Sequence, residues 1–451
     1  MNRKKNLNPE MPPLAPLPQQ TVDMSRVLQA FGALILLAYI GMTLAHLVST
    51  PVINSGALIQ APDEAAHISY VAAVAHGHLP LRGDTADHTY EWHQPPLYYA
   101  ITSLLYSAGP LAMRSMNMII GFVGLLLILL TVRRLFPREP ALAVLAMGFA
   151  AFLPMRQAIC ASVNNDVLIE LFFTLTLLLI IEALRGGFSG QRALMLGITV
   201  GLALLTKATG FILLPIVLFG LMIMLREGEL PSMVWHNTIW LILPIVLFTT
   251  PWYIRNIRLY HEITPVKAFA QEFKATVRAR DWIGRPVAVD LLTGALHSAP
   301  AMNRIGYIAL VSSWTWRTFW AAWTPVRLKD IGAPIFLQPS FYALNMLLSL
   351  TALIGLIRLH LHRKQLFTSM QRNVIYLCFL CFSLTAISFA VFTWTYFQAQ
   401  GRYLYPAILP ISLLFALGWR NIWPAFYREL ACNMVIVLLF ILSFIFVAAC
   451  I

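Results

Sequence analysis

The chain has 451 residues, is 59% hydrophobic and only 11% charged, and has a mean hydropathy of +0.72; soluble domains are about a quarter charged, so a string of ordinary soluble domains is excluded. The formal net charge of +13 comes from 32 Lys and Arg against 19 Asp and Glu, and beside long apolar runs it is read as basic loops facing anionic lipid, not as a nucleic-acid surface. The five cysteines are scattered, and Cys378 and Cys381 form a C-x-x-C inside an apolar run with no second pair, so small core residues are expected and not a metal or redox pair.

Residues 1–25, beginning MNRKKNLNPEMPPLAPLPQQ, are polar and proline-rich and are expected to form a disordered cytoplasmic tail ahead of a membrane domain over 26–451. The run 26–49 is too long for a signal-peptide core and lacks a small-x-small cleavage site, so it reads as a retained span. Further spans are placed near 115–135, 140–159, 167–185, 193–209, 211–225, 237–252, 340–358, 374–396, 403–419 and 431–450. The fold class is therefore all-α: a polytopic membrane protein of about eleven transmembrane helices. With the N-terminus inside, the short inner loops carry Arg133, Arg134 and Arg138, then Arg185 and Arg192, Arg226, Arg358 to Arg372, and Arg420 and Arg428. Every one is basic, as orientation by positive charge requires.

That orientation leaves two large external loops, 50–114 and 252–339. The second holds PVKAFAQEFKATVRAR, with Val266, Phe269, Ala270, Phe273 and Val277 on one helical face, as in a helix lying on the membrane surface. It also holds WTWRTFWAAW, where Trp316, Trp320 and Trp323 recur at helical spacing like an interfacial aromatic belt.

The unusual polar residues fall on the same external side. Asp63, Glu64 and His67 stand in APDEAAHISY, Glu91, His93 and Gln94 in YEWHQPPLYYA, and Asp166 in SVNNDVLIE; Lys207 stands in LLTKATG, Arg255 in PWYIRN and Arg402 in QAQGRYLYP. Each has a plainer reading. Asp63 and Asp166 can cap helices, Glu64 can be a solvated group, His93 can order its loop, Lys207 can snorkel, and Arg402 can meet a lipid headgroup. Glu170, one turn inside Asp166, is the main acid expected at mid-depth. A transporter concentrates such groups near the midplane; an interfacial ring of carboxylates and cations suits a reaction on a lipid-linked phosphate instead.

The set PDEAAH, HQPPLYY, NND, GLALLTK, WYIRN and QGRYLYP, spread over residues 62–406, resembles the GT-C superfamily of integral-membrane glycosyltransferases. These include protein O-mannosyltransferases and lipid A aminoarabinose transferases, which depend on polyprenyl-phosphate sugars. The motifs are most similar to those of a prokaryotic group within that superfamily. The resemblance implies that Asp63 acts as general base or acceptor-positioning group, that Asp166 is the second-loop acid, and that Lys207 and Arg402 are ligands of the donor phosphate. The chemistry of the residues themselves adds Glu64 or Asp166 as the acid orienting the catalytic site, Arg255 to the phosphate clamp, and His93, Gln94 and His67 as candidate substrate contacts. Gln94 stands where the aminoarabinose transferases carry a Lys before Pro-Pro, so it supplies no cation there, and the soluble C-terminal domain of some relatives is not expected.

The reaction expected is sugar transfer, with inversion, from a polyprenyl-phosphate donor to a hydroxyl on a glycan, glycolipid or protein, at the outer face of the cytoplasmic membrane in cell-envelope synthesis. No cofactor is required, since Lys and Arg can hold a lipid monophosphate, although a divalent metal is compatible with the site; the partners are the lipid-linked sugar, its acceptor and the bilayer, with no nucleic acid. The alternatives are a flippase or transporter of lipid-linked sugar or polysaccharide, and an oligosaccharide polymerase or ligase.

Overall fold

A computed structural model describes residues 24–50, 61–84, 89–322 and 336–450 of the chain. The expected N-terminal tail lies outside these up to residue 23. Apolar runs become helices because lipid offers the backbone no hydrogen-bond partners. The order is α1 (Met24–Ser49), α2 (Glu64–Ala75), α3 (Leu97–Ser103), α4 (Pro110–Leu135), α5 (Pro140–Ala151), α6 (Pro154–Cys160) and α7 (Asp166–Gly186). Next come α8 (Gly190–Leu204), α9 (Leu213–Arg226), α10 (Pro231–Tyr260), α11 (Val266–Glu272) and α12 (Ala279–Trp282). A small antiparallel hairpin, β1 (Val287–Val289) with β2 (Leu296–Ser298), precedes α13 (Arg304–Trp320), α14 (Pro339–Leu366), α15 (Ser369–Thr395), α16 (Ile408–Ile422) and α17 (Arg428–Cys450).

Among the described residues nine helices are long and apolar enough to cross a membrane, and the bent pair α5–α6 makes ten. The 15-residue α8 is apolar but shorter, and with it each run marked out in the sequence is helical. The chain is a multi-pass membrane protein. Its lipid-facing surface is apolar, as with Leu37, Leu247, Leu347 and Met434, all more than half exposed. Cys378 and Cys381 are free and buried, as core residues would be.

Proline and glycine set the breaks and close contacts. α5 and α6 meet at a 68° bend where Pro154 begins the second helix, because proline cannot continue the hydrogen-bond ladder of the first. In contrast, α10 carries Pro244 and Pro251 inside it and runs to Tyr260, beyond its expected end near 252. Arg255 and Arg258 therefore lie on its last turns and not in a loop. Between α14 and α16, a Cβ on Gly355 would overlap the Gly418 carbonyl and one on Gly418 the Ala352 carbonyl, so these backbones touch directly.

The described residues between α10 and α14 are built into short elements and not into an open loop. Trp282, Tyr307, Leu310, Trp314 and Ala399 belong to a second buried cluster there, and the Phe397 N–H donates to the Val277 carbonyl at 2.8 Å. The expected tryptophan belt is not what forms. Trp320 is 1% exposed and packs edge-on against Phe149 at 5.8 Å, because α13 lies against α6 and buries that face. Trp316 lines an apolar cavity, and Trp323 lies outside the described residues. The apolar face of 266–277 also differs: the helix stops at Glu272, and Val266, Phe269 and Phe273 line a cavity that also holds Asp63, Lys207 and Arg402.

Candidate functional site

Several motif segments are tied into one body by their own polar groups. The Tyr70 ring of α2 stacks on Tyr99 of α3 at 3.6 Å and 5°, and its hydroxyl donates to the Gln94 carbonyl at 3.0 Å. Thr89 Oγ1 donates to the Ala66 carbonyl at 2.7 Å. The Asn165 amide bridges Gln94 Oε1 and the Thr206 carbonyl, both at 3.2 Å, and the Leu97 N–H reaches the Leu205 carbonyl at 2.9 Å. The turns around Asp63, Gln94, Asp166 and Lys207 are thereby fixed relative to one another. The Arg402 turn, Gly401–Ala407, is fixed from another side. A Cβ on Gly401 would overlap the Phe319 backbone, and the Gly401 N–H donates to Thr318 Oγ1 at 2.8 Å.

Neither acid caps a helix. Asp63 precedes α2 in the left-handed region, φ 61°, with no side-chain cap bond; such strain in a non-glycine residue persists only when its surroundings impose it, and clusters at functional sites. At α7 it is Asn164 that caps, its Oδ1 accepting from the N–H groups of Asp166 at 3.0 Å and Val167 at 3.4 Å. Both carboxylates are thus free to meet cations. Arg402 donates to Asp63 Oδ2, to Asp166 Oδ2 at 3.3 Å and to Gln400 Oε1 at 2.8 Å. Lys207 pairs with Asp166 Oδ1. The Tyr90 hydroxyl donates to Asp63 Oδ1 at 2.9 Å. Tyr403 lies under both cations, 5.7 Å from Lys207 Nζ and 5.3 Å from the Arg402 guanidinium.

This chain of ion pairs borders a cavity of about 520 Å³. Asp63, His67, His93, Gln94, Lys207 and Arg402 line it, and Asp166 stands behind the cations. Arg402 is 3% and Lys207 14% exposed. Arg402 has five N–H groups, of which three are engaged, and Lys207 has three, of which one is engaged. Each cation keeps two donors for an anionic guest.

Burial opposes ionisation of Asp63, but the Arg402 guanidinium outweighs it and holds the carboxyl down at about 2. Burial holds His93 down at about 4, so its ring is neutral; its Nδ1–H donates to the Tyr90 carbonyl at 3.0 Å and Nε2 accepts from the Gln94 amide at 3.2 Å. His67 is also lowered by burial, with Nδ1 2.9 Å from the Tyr99 hydroxyl.

Two expected residues stand elsewhere. Glu64 does not face the cavity: it forms a two-point pair with Arg114 at 2.5 and 2.8 Å and accepts the Val163 N–H at 2.8 Å. Asp63 precedes the helix in a left-handed backbone conformation while Glu64 opens it, so the two side chains leave in different directions and meet different cations. Arg255 donates to the Pro80 carbonyl at 2.9 Å and lies over Trp252 at 4.8 Å, drawn there by its place on the last turns of α10. Glu91, placed by the sequence on the external side but given no role there, lines the cavity, is 7% exposed, and its Oε2 has no hydrogen-bond partner. Among the described residues no group of three or more His, Cys, Asp or Glu is placed to hold a metal ion.

A second cavity of about 610 Å³ lies among α13–α16, lined by Val311, Trp316, Leu353, Phe382 and Leu404 among others and almost wholly apolar. Phe389 belongs to the walls of both cavities and stacks on Tyr403 at 6.0 Å.

Comparison with known proteins accords with this geometry. A family model described as dolichyl-phosphate-mannose-protein mannosyltransferase matches residues 93–254. The Archaeoglobus fulgidus oligosaccharyltransferase, solved with Zn and sulfate, superposes with a TM-score of 0.50 at 14% identity, covering 91% of this chain and 53% of that one. The AglB oligosaccharyltransferase of the same organism, solved with an inhibitory peptide and a dolichol-phosphate, gives 0.51 at 14% identity, covering 92% and 55%. The chain has the GT-C fold. ArnT from Cupriavidus metallidurans bound to undecaprenyl phosphate is a further match, with a TM-score of 0.49 at 15% identity and coverage of 92% and 64%. The chain spans between 53% and 64% of the length of these solved proteins. No curated protein matches it.

Proposed function

We propose that this chain is a glycosyltransferase that moves a sugar from a polyprenyl-phosphate donor to a hydroxyl acceptor on a glycan, glycolipid or protein, at the outer face of the cytoplasmic membrane. The observation that carries the proposal is the pair Lys207 and Arg402. Both are held by buried carboxylates, both keep spare donors toward one cavity, and that cavity shares Phe389 with an apolar one. A phosphate in the polar cavity meets charge-assisted donors; a polyprenyl tail in the apolar cavity stays out of water. As the C1–O bond to phosphate breaks, its electron pair moves onto the phosphate oxygen, and Lys207 and Arg402 stabilise that charge without rearranging. Direct attack by the acceptor oxygen inverts the anomeric carbon. Asp63 and Asp166 hold the two cations in place, and His67, His93 and Gln94 form the polar wall. The solved relative carrying a dolichol-phosphate supports a lipid-phosphate ligand of this class.

A transport reading gains nothing from Glu170. It is buried in a two-point pair with Arg156 at 2.5 and 2.9 Å and lines neither cavity. The test uses the protein in nanodiscs with undecaprenyl phosphate as probe, and undecaprenyl-phosphate-linked mannose or glucose as donor. Lys207→Met and Arg402→Met are each expected to weaken probe binding by at least about tenfold, the loss of about 1.4 kcal/mol. Arg402→Lys recovers only part of it, since an ammonium cannot reproduce the planar fork. A parent protein that neither binds undecaprenyl phosphate nor releases it from either donor sinks the proposal.

A further inference from the structure

An acceptor hydroxyl attacking a sugar must lose its proton to a group with a free lone pair at the reaction cavity. Asp63 is poorly suited. Tyr90 occupies one carboxylate oxygen and Arg402 the other, and a carboxyl held at about 2 is a weak base. Asp166 spends both oxygens on Lys207 and Arg402, and Glu64 faces Arg114. Glu91 differs from all three. It stands in the one-turn helix Tyr90–His93, whose N–H at Glu91 is fixed by Thr89 Oγ1 at 3.1 Å. Its side chain is buried at the cavity wall, and Oε2 has no hydrogen-bond partner. An unpaired buried carboxylate oxygen is unfavourable, and a guest hydroxyl in the cavity relieves it.

Resting on the glycosyltransferase reading above, we propose that Glu91 is the catalytic base that takes the acceptor proton, while Asp63 serves to hold Arg402. In the balanced step the acceptor O–H bond breaks and its proton passes to Glu91 Oε2. The acceptor oxygen bonds to the anomeric carbon. The bond from that carbon to the phosphate oxygen breaks, and its electron pair leaves on the lipid phosphate. Glu91 then returns the proton to the departing phosphate or to water. The charged and titratable groups facing Glu91 are Asp63, Lys207 and His67, with the Tyr70, Tyr90, Tyr99 and Tyr403 hydroxyls around them. Burial raises its carboxyl above the ordinary range, and Asp63 adds to the rise; His67, Lys207 and a hydrogen bond from the Gln94 side chain oppose it. A base so raised is stronger when ionised, and it places the acidic limb of activity at Glu91.

The experiment measures kcat and kcat/KM against pH in proteoliposomes of total membrane lipid extract, which supplies acceptors, using undecaprenyl-phosphate mannose or glucose as donor. Undecaprenyl phosphate binding is read in parallel. Glu91→Gln keeps shape and local hydrogen bonds. It is expected to lower kcat by about 10²–10⁴-fold, to abolish the acidic limb, and to leave undecaprenyl phosphate binding and melting temperature near parental. Glu91→Asp restores part of the rate. Asp63→Asn keeps the acidic limb and weakens undecaprenyl phosphate binding by releasing Arg402. Parental turnover in Glu91→Gln, with the acidic limb lost in Asp63→Asn, overturns the assignment and leaves the glycosyltransferase reading standing. A parent that binds no undecaprenyl phosphate and turns over neither donor overturns both.

Discussion

Removing Arg114 is expected to destabilise the protein strongly and to leave its chemistry untouched. The Arg114 side chain is 0% and that of Glu64 2% exposed. Arg114 makes two bonds to Glu64 and donates to the Leu47 and Thr50 carbonyls at 2.9 and 2.8 Å. Glu64 also accepts the Val163 N–H, so the pair ties α1, α2, α4 and the turn before α7 together. Arg114→Met leaves a buried carboxylate without its cation, a loss on the order of 3–5 kcal/mol. Glu64→Gln keeps one acceptor for Val163 and strands the guanidinium among carbonyls that still receive its donors, so a smaller loss of about 2–3 kcal/mol is expected. Replacing both, Glu64→Gln with Arg114→Met, is expected to cost less than the two singles combined, because neither charge is then left alone. The assay is heat-dependent loss of the monodisperse peak in size-exclusion chromatography, with turnover normalised to folded protein. A Glu64→Gln protein of parental heat stability but without sugar transfer refutes this structural role and returns Glu64 to the reaction.

Asp63→Asn tests acid stability. The carboxyl is held at about 2 against an ordinary 3.8, so its ionised form stabilises the fold above about pH 4 and the contribution is lost as pH falls toward 2. With the side chain 34% exposed, solvent screening leaves about 1 kcal/mol, and the variant should show a shallower acid-denaturation slope in that window. Arg255→Met is expected to bind undecaprenyl phosphate like the parent, since its guanidinium is engaged at Pro80 and Trp252; tenfold weaker binding would place it at the phosphate after all. Gly418→Ala forces α14 and α16 apart and should lower heat stability by about 1–3 kcal/mol, checked by the same chromatographic melt. Leu291→Cys, at an exposed site before β2, should react with an impermeant maleimide in intact cells; labelling only after permeabilisation would invert the orientation taken from the basic loops.

Hydropathy alone determined the membrane class and the helical runs, because about 20 apolar residues in succession have one solution in lipid. The local motifs likewise announced that Asp63, Asp166, Lys207 and Arg402 belong together, since charges are too costly near a bilayer to be scattered without cause. Partner choice was not legible. Asp63 and Glu64 are adjacent in the chain, yet one meets Arg402 and the other Arg114, from segments hundreds and tens of residues away. Arg255 looked like a phosphate ligand until the continuation of α10 carried it to Pro80. Glu91 looked ordinary in sequence, and only burial beside an open cavity gave it an unpaired oxygen. Burial, hydrogen-bond saturation and the facing of a side chain depend on which distant backbone lies across from it, and that is fixed by packing.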